Sequence, residues 1–116
     1  MNLENKSDNH RVWYQPETQT IFFEGTLRMG GVEEYASISS LLDDIFHSKP
    51  TTLTLDLKKL DFLNSSGISV LAKFVIAARK DGTVPLVIKG SSQIPWQGKS
   101  LPNLKKLYTS LQLTVE

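Results

Sequence analysis

The sequence predicts an α/β fold: a mixed, partly parallel β-sheet with an N-terminal hairpin and helices packed on it, in the order β-β-α-β-α-β-α-β. Three observations carry this expectation. VWYQPETQTIFFEGTLR has aromatic and β-branched residues in two arms around Pro16 and its polar neighbours, the pattern of a hairpin. From Val32 the apolar residues recur every three or four positions, and from Leu53 every second position, so a helix is followed by a strand. The same alternation then continues to the C-terminus, and strand–helix–strand units joined by right-handed crossovers imply parallel strand neighbours.

Taken in order, the polar start MNLENKSDNH predicts a flexible tail over 1–10, ahead of a single domain over 11–116. After the hairpin, Met29-Gly30-Gly31 breaks the strand pattern. Val32, Tyr35, Ile38, Leu41, Leu42, Ile45 and Phe46 then share one helical face. Glu33 and Glu34 suit that helix's positive end, and Lys49-Pro50 closes it. In TLTLDLKKLDFL, Leu53, Leu55 and Leu57 alternate with Thr54 and Asp56, as in a half-buried strand. A second helical stripe runs through Ile68, Leu71, Ala72, Val75 and Ala78, widened by Val70, Phe74 and Ile76. Arg79-Lys80-Asp81-Gly82 ends it. PLVI, from Pro85 to Ile88, predicts a short strand. A loop with Ser91, Ser92, Pro95, Trp96 and Gly98 follows, then a short helix from Pro102 to about Ser110 and a final strand in LQLTVE.

Composition narrows the function classes. The chain has 116 residues, 40% hydrophobic and 22% charged, with a net charge of +1, which gives no reason to expect nucleic acid as a partner. It contains no cysteine, so disulfides, thiolate nucleophiles and cysteine-based metal sites are excluded. The start lacks the apolar core of a signal peptide, and no run approaches the ~20 apolar residues of a membrane span. A cytoplasmic protein without membrane insertion is the expectation. Nucleophilic serine chemistry needs a nearby base, yet His10 sits in the polar tail and His47 at the end of the first helix. Asp43, Asp44 and His47 share a helical face but read as a solvent-facing helix end. No phosphate-cradling glycine loop is present. Neither catalytic residues nor a metal or cofactor is expected.

The remaining feature is the joint Asn64-Ser65-Ser66-Gly67, set between the apolar runs LDFL and ISVL. One of its polar side chains can accept a hydrogen bond from a free amide of the helix that follows, worth ~0.5–2 kcal/mol. Gly67 allows close backbone packing or a conformation that other residues resist. The same free amides favour an anion, so a phosphoryl group on a serine here would be well received. It would add about two negative charges, enough to reject a docked partner.

In its context this joint resembles the centre of STAS domains, in particular the bacterial anti-sigma factor antagonists. TLTLDLKKLDFLNSSGISVLAKFVIAARKDGTVPLVI carries the likeness. That family shows a strand, an apolar pair, Asp-Ser-Ser/Thr-Gly and a helix opening on apolar residues. FFEGTLRMGG also resembles the family's Gly-x-Leu segment before its first helix. The likeness covers residues 12 to 90.

What the resemblance implies is a non-enzymatic switch. Antagonists of this family bind an anti-sigma factor that is also a serine kinase of histidine-kinase-like ATPase fold. The kinase phosphorylates the serine after the Asp and so expels the antagonist, and a PP2C-type phosphatase restores it. By position that serine is Ser65, with Ser66 and Gly67 completing the phosphosite loop. Asn64 stands where the family has Asp, and the chain stops after its last predicted strand where many relatives continue into a helix. The docking surface implied is the Ser65 end with the exposed face of the second helix, including Ser69, Lys73 and Lys80. Arg28 and Met29 should open on the same end of the sheet, and Trp96 either contacts the partner or packs its loop. The alternative is a constitutive STAS scaffold subunit of a transporter or sensory complex. A third class, small-ligand binding, has no pocket signature in the sequence.

Overall fold

The computed structural model describes residues 3–116. One six-stranded sheet runs in the spatial order β1-β2-β3-β4-β5-β6, the same as the chain order. Strand β1 (Glu4–Lys6) pairs antiparallel with β2 (His10–Gln15), which pairs antiparallel with β3 (Thr20–Leu27). The next strands, β4 (Leu53–Leu63), β5 (Leu86–Gly90) and β6 (Gln112–Val115), each lie parallel to the preceding one. Helices α1 (Ala36–His47), α2 (Ser65–Asp81) and α3 (Pro95–Leu107) form the three crossovers. Every crossover steps in the same direction, and right-handed connections then put all three helices on one face of the sheet. Burial alternates to match: Ile21, Phe23, Leu53, Leu55, Leu57, Leu86 and Ile88 point into the helix layer and are buried. The other sheet face carries Trp13 stacked on Phe22, with ring centroids 4.9 Å apart, and Arg11 over the Trp13 ring.

The predicted mixed sheet and its alternating order are present, with three differences in detail. Segment 4–6, expected in a flexible tail, forms β1, so one strand precedes the predicted hairpin; residues 1–2 lie outside the described region. Its backbone pairs with β2, and its composition carries no strand period because only three residues are involved. Helix α1 begins at Ala36 rather than near Val32. Glu33 and Glu34 sit in tight turns (Tyr35 N–H to Val32 O, 3.1 Å; Ala36 N–H to Glu33 O, 3.2 Å), and Val32 is exposed. Glu34 turns its carboxylate back onto the amide of Gly30. Helix α3 begins at Pro95 and runs through Pro102. Pro95 fits the first helical turn, where its missing N–H is no loss. Burial of Gln97, Leu101 and Leu104 at helical spacing outweighs the breaking tendency of Gly98 and Pro102.

Strand β4 holds the key to the site. Its partners on β3 shift register between Phe22 and Glu24 and again between Gly25 and Thr26. Each shift inserts an extra β4 residue, so the buried leucines continue as Leu57, Leu60 and Leu63 at intervals of three. Pairing with β5 ends at Asp56. Beyond it, Gln97 from α3 donates to Leu57 O (2.6 Å) and Leu60 O (3.2 Å), while its own Oε1 accepts from Ser91 N–H (2.7 Å). Trp96 Nε1 donates to Leu60 O (2.9 Å), so Trp96 packs the structure around β4.

Candidate functional site at the β4–α2 joint

Strands β3 and β4 end together at Leu27 and Leu63, and helix α2 starts two residues later. Asn64 is its N-cap, with extended backbone (φ −77, ψ 175) that turns the chain from strand into helix. Asn64 Oδ1 accepts from the Gly67 amide (3.1 Å) and from the Tyr35 hydroxyl (2.7 Å). Its Nδ2 donates to Met29 O (2.8 Å), and its own amide donates to Leu27 O (3.1 Å). The Met29 carbonyl can only accept and the Gly67 amide can only donate, which fixes the orientation of the side-chain amide. An Asp here could not donate to Met29 unless protonated. Asn64 thus ties three segments together: the end of β3, the turn before α1 and the start of α2.

Tyr35 completes the arrangement. It is 1% exposed, its hydroxyl also receives the Met29 amide, and burial pushes its phenol above the usual tyrosine pKa of 10.0. Gly67 is where it is because of close approach: a Cβ would stand 2.8 Å from Tyr35 Oη and 2.9 Å from Leu63 Cγ.

Among the predicted site residues, Asn64 and Gly67 therefore perform the structural work. Ser65, in the first turn of α2, is exposed and Ser66 is half-buried. Neither hydroxyl takes part in the hydrogen bonds of the joint among the described residues. Ser69 and Lys73 are exposed further along α2, and Lys80 is exposed at its end. Lys73 borders a groove between α1 and α2 lined by Val32, Leu42, Val70 and Phe74, with Asp43 on the opposite rim; burial raises the Asp43 carboxyl above its ordinary pKa. Arg28 and Met29 do open on this end of the sheet. Met29 is half-buried against the core, while Arg28 is exposed with its guanidinium 4.6 Å from the centroid of the Phe62 ring.

Sequence reasoning missed Phe62 and Val32 as surface residues here, and both are among the exposed large hydrophobics. Their phases place Val32 on a helix face and Phe62 inside an apolar run. It also missed Tyr35 as the partner of Asn64, a contact across 29 residues that no local pattern reports.

The fold and joint define an α/β domain that displays a capped helix start at the carboxyl edge of its sheet. The family model of the STAS domain matches residues 14–94, and the chain belongs to that family. Among solved structures it is similar to SiaC of Pseudomonas aeruginosa, with a TM-score of 0.73 and 14% identity, covering 100% of this chain and 98% of that one. It is also similar to a chain in the crystal structure of the diguanylate cyclase SiaD in complex with its activator SiaC, from the same organism. That TM-score is 0.72 at 11% identity, covering 99% of this chain and 100% of that one. An anti-sigma factor antagonist from Mycobacterium paratuberculosis matches with a TM-score of 0.60 and 18% identity, over 97% and 84%. At such identities the likeness establishes the fold. No curated protein matches the sequence. Among the described residues, no helix is long and apolar enough to cross a membrane.

Proposed function

We propose that the protein is a non-enzymatic regulatory module that binds a partner protein through the Ser65 end of α2 and is switched by phosphorylation of Ser65. One observation carries this reading: Ser65 is exposed at the start of α2 while Asn64 and Gly67 alone meet the local structural needs. A phosphoryl group could be added without dismantling the cap. It would sit beside the free amides of the first turn, where an anion is stabilised by ~0.3–1 kcal/mol at an exposed position. The fold would persist while the docking surface gained about two negative charges. Arg28, Met29, Ser69 and Lys73, with the exposed Phe62 and Val32, form the contact surface around it. The partner is a serine kinase of anti-sigma factor type with histidine-kinase-like ATPase fold, and a PP2C-type phosphatase reverses the mark. The similar protein SiaC is an activator of a diguanylate cyclase, which extends the class of partners to signalling enzymes outside transcription.

The constitutive scaffold reading is favoured by one feature, Asn64. Its neutral amide is committed to Met29 O and supplies no carboxylate beside Ser65. The two separate in a single assay. The protein is incubated with ATP and lysate of its source cells, and its intact mass and modified peptides are measured. A phosphate-sized gain on Ser65, absent in Ser65→Ala, supports the switch. No gain, beside a control substrate that is phosphorylated, leaves the scaffold.

A further inference from the structure

At the sheet edge remote from β6, a cluster unrelated to Ser65 holds β1 in place. His10 opens β2 and is 9% exposed, with both ring nitrogens engaged: Nδ1 lies 2.7 Å from Ser7 Oγ and Nε2 lies 2.6 Å from Asn5 Oδ1. Asn5 is in β1, and its Nδ2 donates to Ser37 Oγ of α1 (2.9 Å). The Ser7 hydroxyl also accepts from two backbone amides, Asn9 N–H at 3.1 Å and His10 N–H at 3.3 Å. These contacts fix the proton inventory. A hydroxyl has two lone pairs and one hydrogen. Both lone pairs of Ser7 are taken, so its hydrogen goes to His10 Nδ1, and Nδ1 must be an unprotonated acceptor. The imidazole proton is then on Nε2, donated to Asn5 Oδ1. A second proton on Nδ1 would face the Ser7 hydrogen with no lone pair left to receive it.

We propose that this cluster is an acid-released latch, closed only by neutral His10, whose protonation frees β1 from β2 and from α1. The size of β1 makes release inexpensive. It is three residues long and pairs along one side only, through Asn5 with Val12 and its two neighbours. The charged groups around His10 are Glu4 and Lys6 from β1, Asp8 from the following turn, Arg11 from β2, which is ion-paired with Glu4 at an exposed position, Glu24 from β3 and Arg28 from the segment after β3, while α1 contributes the neutral Ser37. Burial, rather than any of these charges, holds His10 below its ordinary pKa of 6.5. Release makes β2 the edge of the sheet, presenting its backbone to any strand able to pair with it.

The test is an NMR titration of the full chain, reading the two histidine rings and backbone hydrogen exchange together. His10→Gln assigns the two ring signals. At neutral pH the latch requires the His10 proton on Nε2. As pH falls through the His10 transition, residues 4–6 and the β2 amides facing them should lose protection by about tenfold for each unit that His10 titrates below 6.5. Amides of β4 and β5, corrected for intrinsic exchange, serve as the internal reference and should not move. Ser7→Ala should raise the His10 transition and weaken β1 protection already at neutral pH. The proposal is overturned by a His10 proton on Nδ1 at neutral pH, or by β1 protection that follows β4 through the transition. The wild-type titration decides even if Ser7→Ala does not fold.

Discussion

Replacing Gly67 with Ala and, separately, Gly98 with Ala gives the same change of side chain at two helical glycines with opposite expected signs. In a helix the exchange favours Ala by about 0.8–1 kcal/mol on backbone grounds. At Gly98, on the exposed side of α3, an added Cβ meets nothing within 4 Å, so that gain should appear as stabilisation. At Gly67 the Cβ would meet Tyr35 Oη at 2.8 Å and Leu63 Cγ at 2.9 Å, with the Leu63 Cδ1 methyl nearer still. Both neighbours are buried, at 1% and 4% exposure, so either can yield only by disturbing the core around it. Overpacking of this kind costs about 1–3 kcal/mol. Displacing the Tyr35 hydroxyl from Asn64 adds the loss of a buried hydrogen bond, about 1 kcal/mol or more. The net expectation for Gly67→Ala is a loss of about 2 kcal/mol. In urea, at a slope of about 2 kcal/mol/M, its midpoint falls by about 1 M with the slope unchanged. Gly98→Ala should move the midpoint upward. A Gly67→Ala protein as stable as the parent would refute the close-packing account of this joint, because the Leu63–Tyr35 contact would then be shown to yield freely.

Three further outcomes follow from named contacts. Asn64→Asp keeps an acceptor for the Gly67 amide but turns a carboxylate on Met29 O, costing about 1–2 kcal/mol at neutral pH. Its folded-state pKa would be raised, so part of that loss should return as pH falls through it, read by denaturation at two pH values. Gln97→Leu strands Leu57 O and the Ser91 amide and leaves Leu60 O to Trp96 Nε1 alone, and should cost at least about 2 kcal/mol in thermal or urea unfolding. Asp81 is held down at about 2, chiefly by the Thr83 hydroxyl and next by Lys49. Thr83→Val should therefore raise its NMR-detected pKa more than Lys49→Met does. With a depressed folded value, the contribution of Asp81 is complete above about pH 4 and fades as pH falls through about 2.

The parts of the fold legible in the sequence were those governed by local period or local chemistry. Helix α2 was readable at both ends, since Asn64 begins it and Gly82 closes it in the left-handed conformation (φ 71) that glycine adopts freely. A cap at the joint was readable too, but not which of Asn64, Ser65 and Ser66 supplies it, nor the partners of Asn64 and Gly67. Tyr35 and Met29 come from the far side of α1, and only the parallel pairing of β3 with β4 brings them in. Glu33 and Glu34 imitated a helix start because acidic residues suit that position, yet the chain there turns tightly and one carboxylate bonds backward to Gly30. Pro95 and Gly98 imitated a loop, and Pro102 a helix start, because propensity scales carry no knowledge of Gln97, whose burial against the bulged strand holds α3 together. β1 was invisible since three polar residues become a strand only when β2 is beside them.

The doubled bulge in β4 has a consequence for shape. Past Asp56 the strand leaves β5 behind, and from Leu57 to Leu63 it is flanked by β3 on one side and by Gln97 and Trp96 on the other. At the usual rise per residue this projecting run is roughly 20 Å long. Strand β4 thus carries Phe62 and the Asn64-Ser65 joint well beyond the last residue it pairs with β5, out to the level where β3 also ends. A partner docking as proposed would meet this run of β4 beside Ser65, and the carbonyls of Leu57 and Leu60 tie its flank to the first turn of α3.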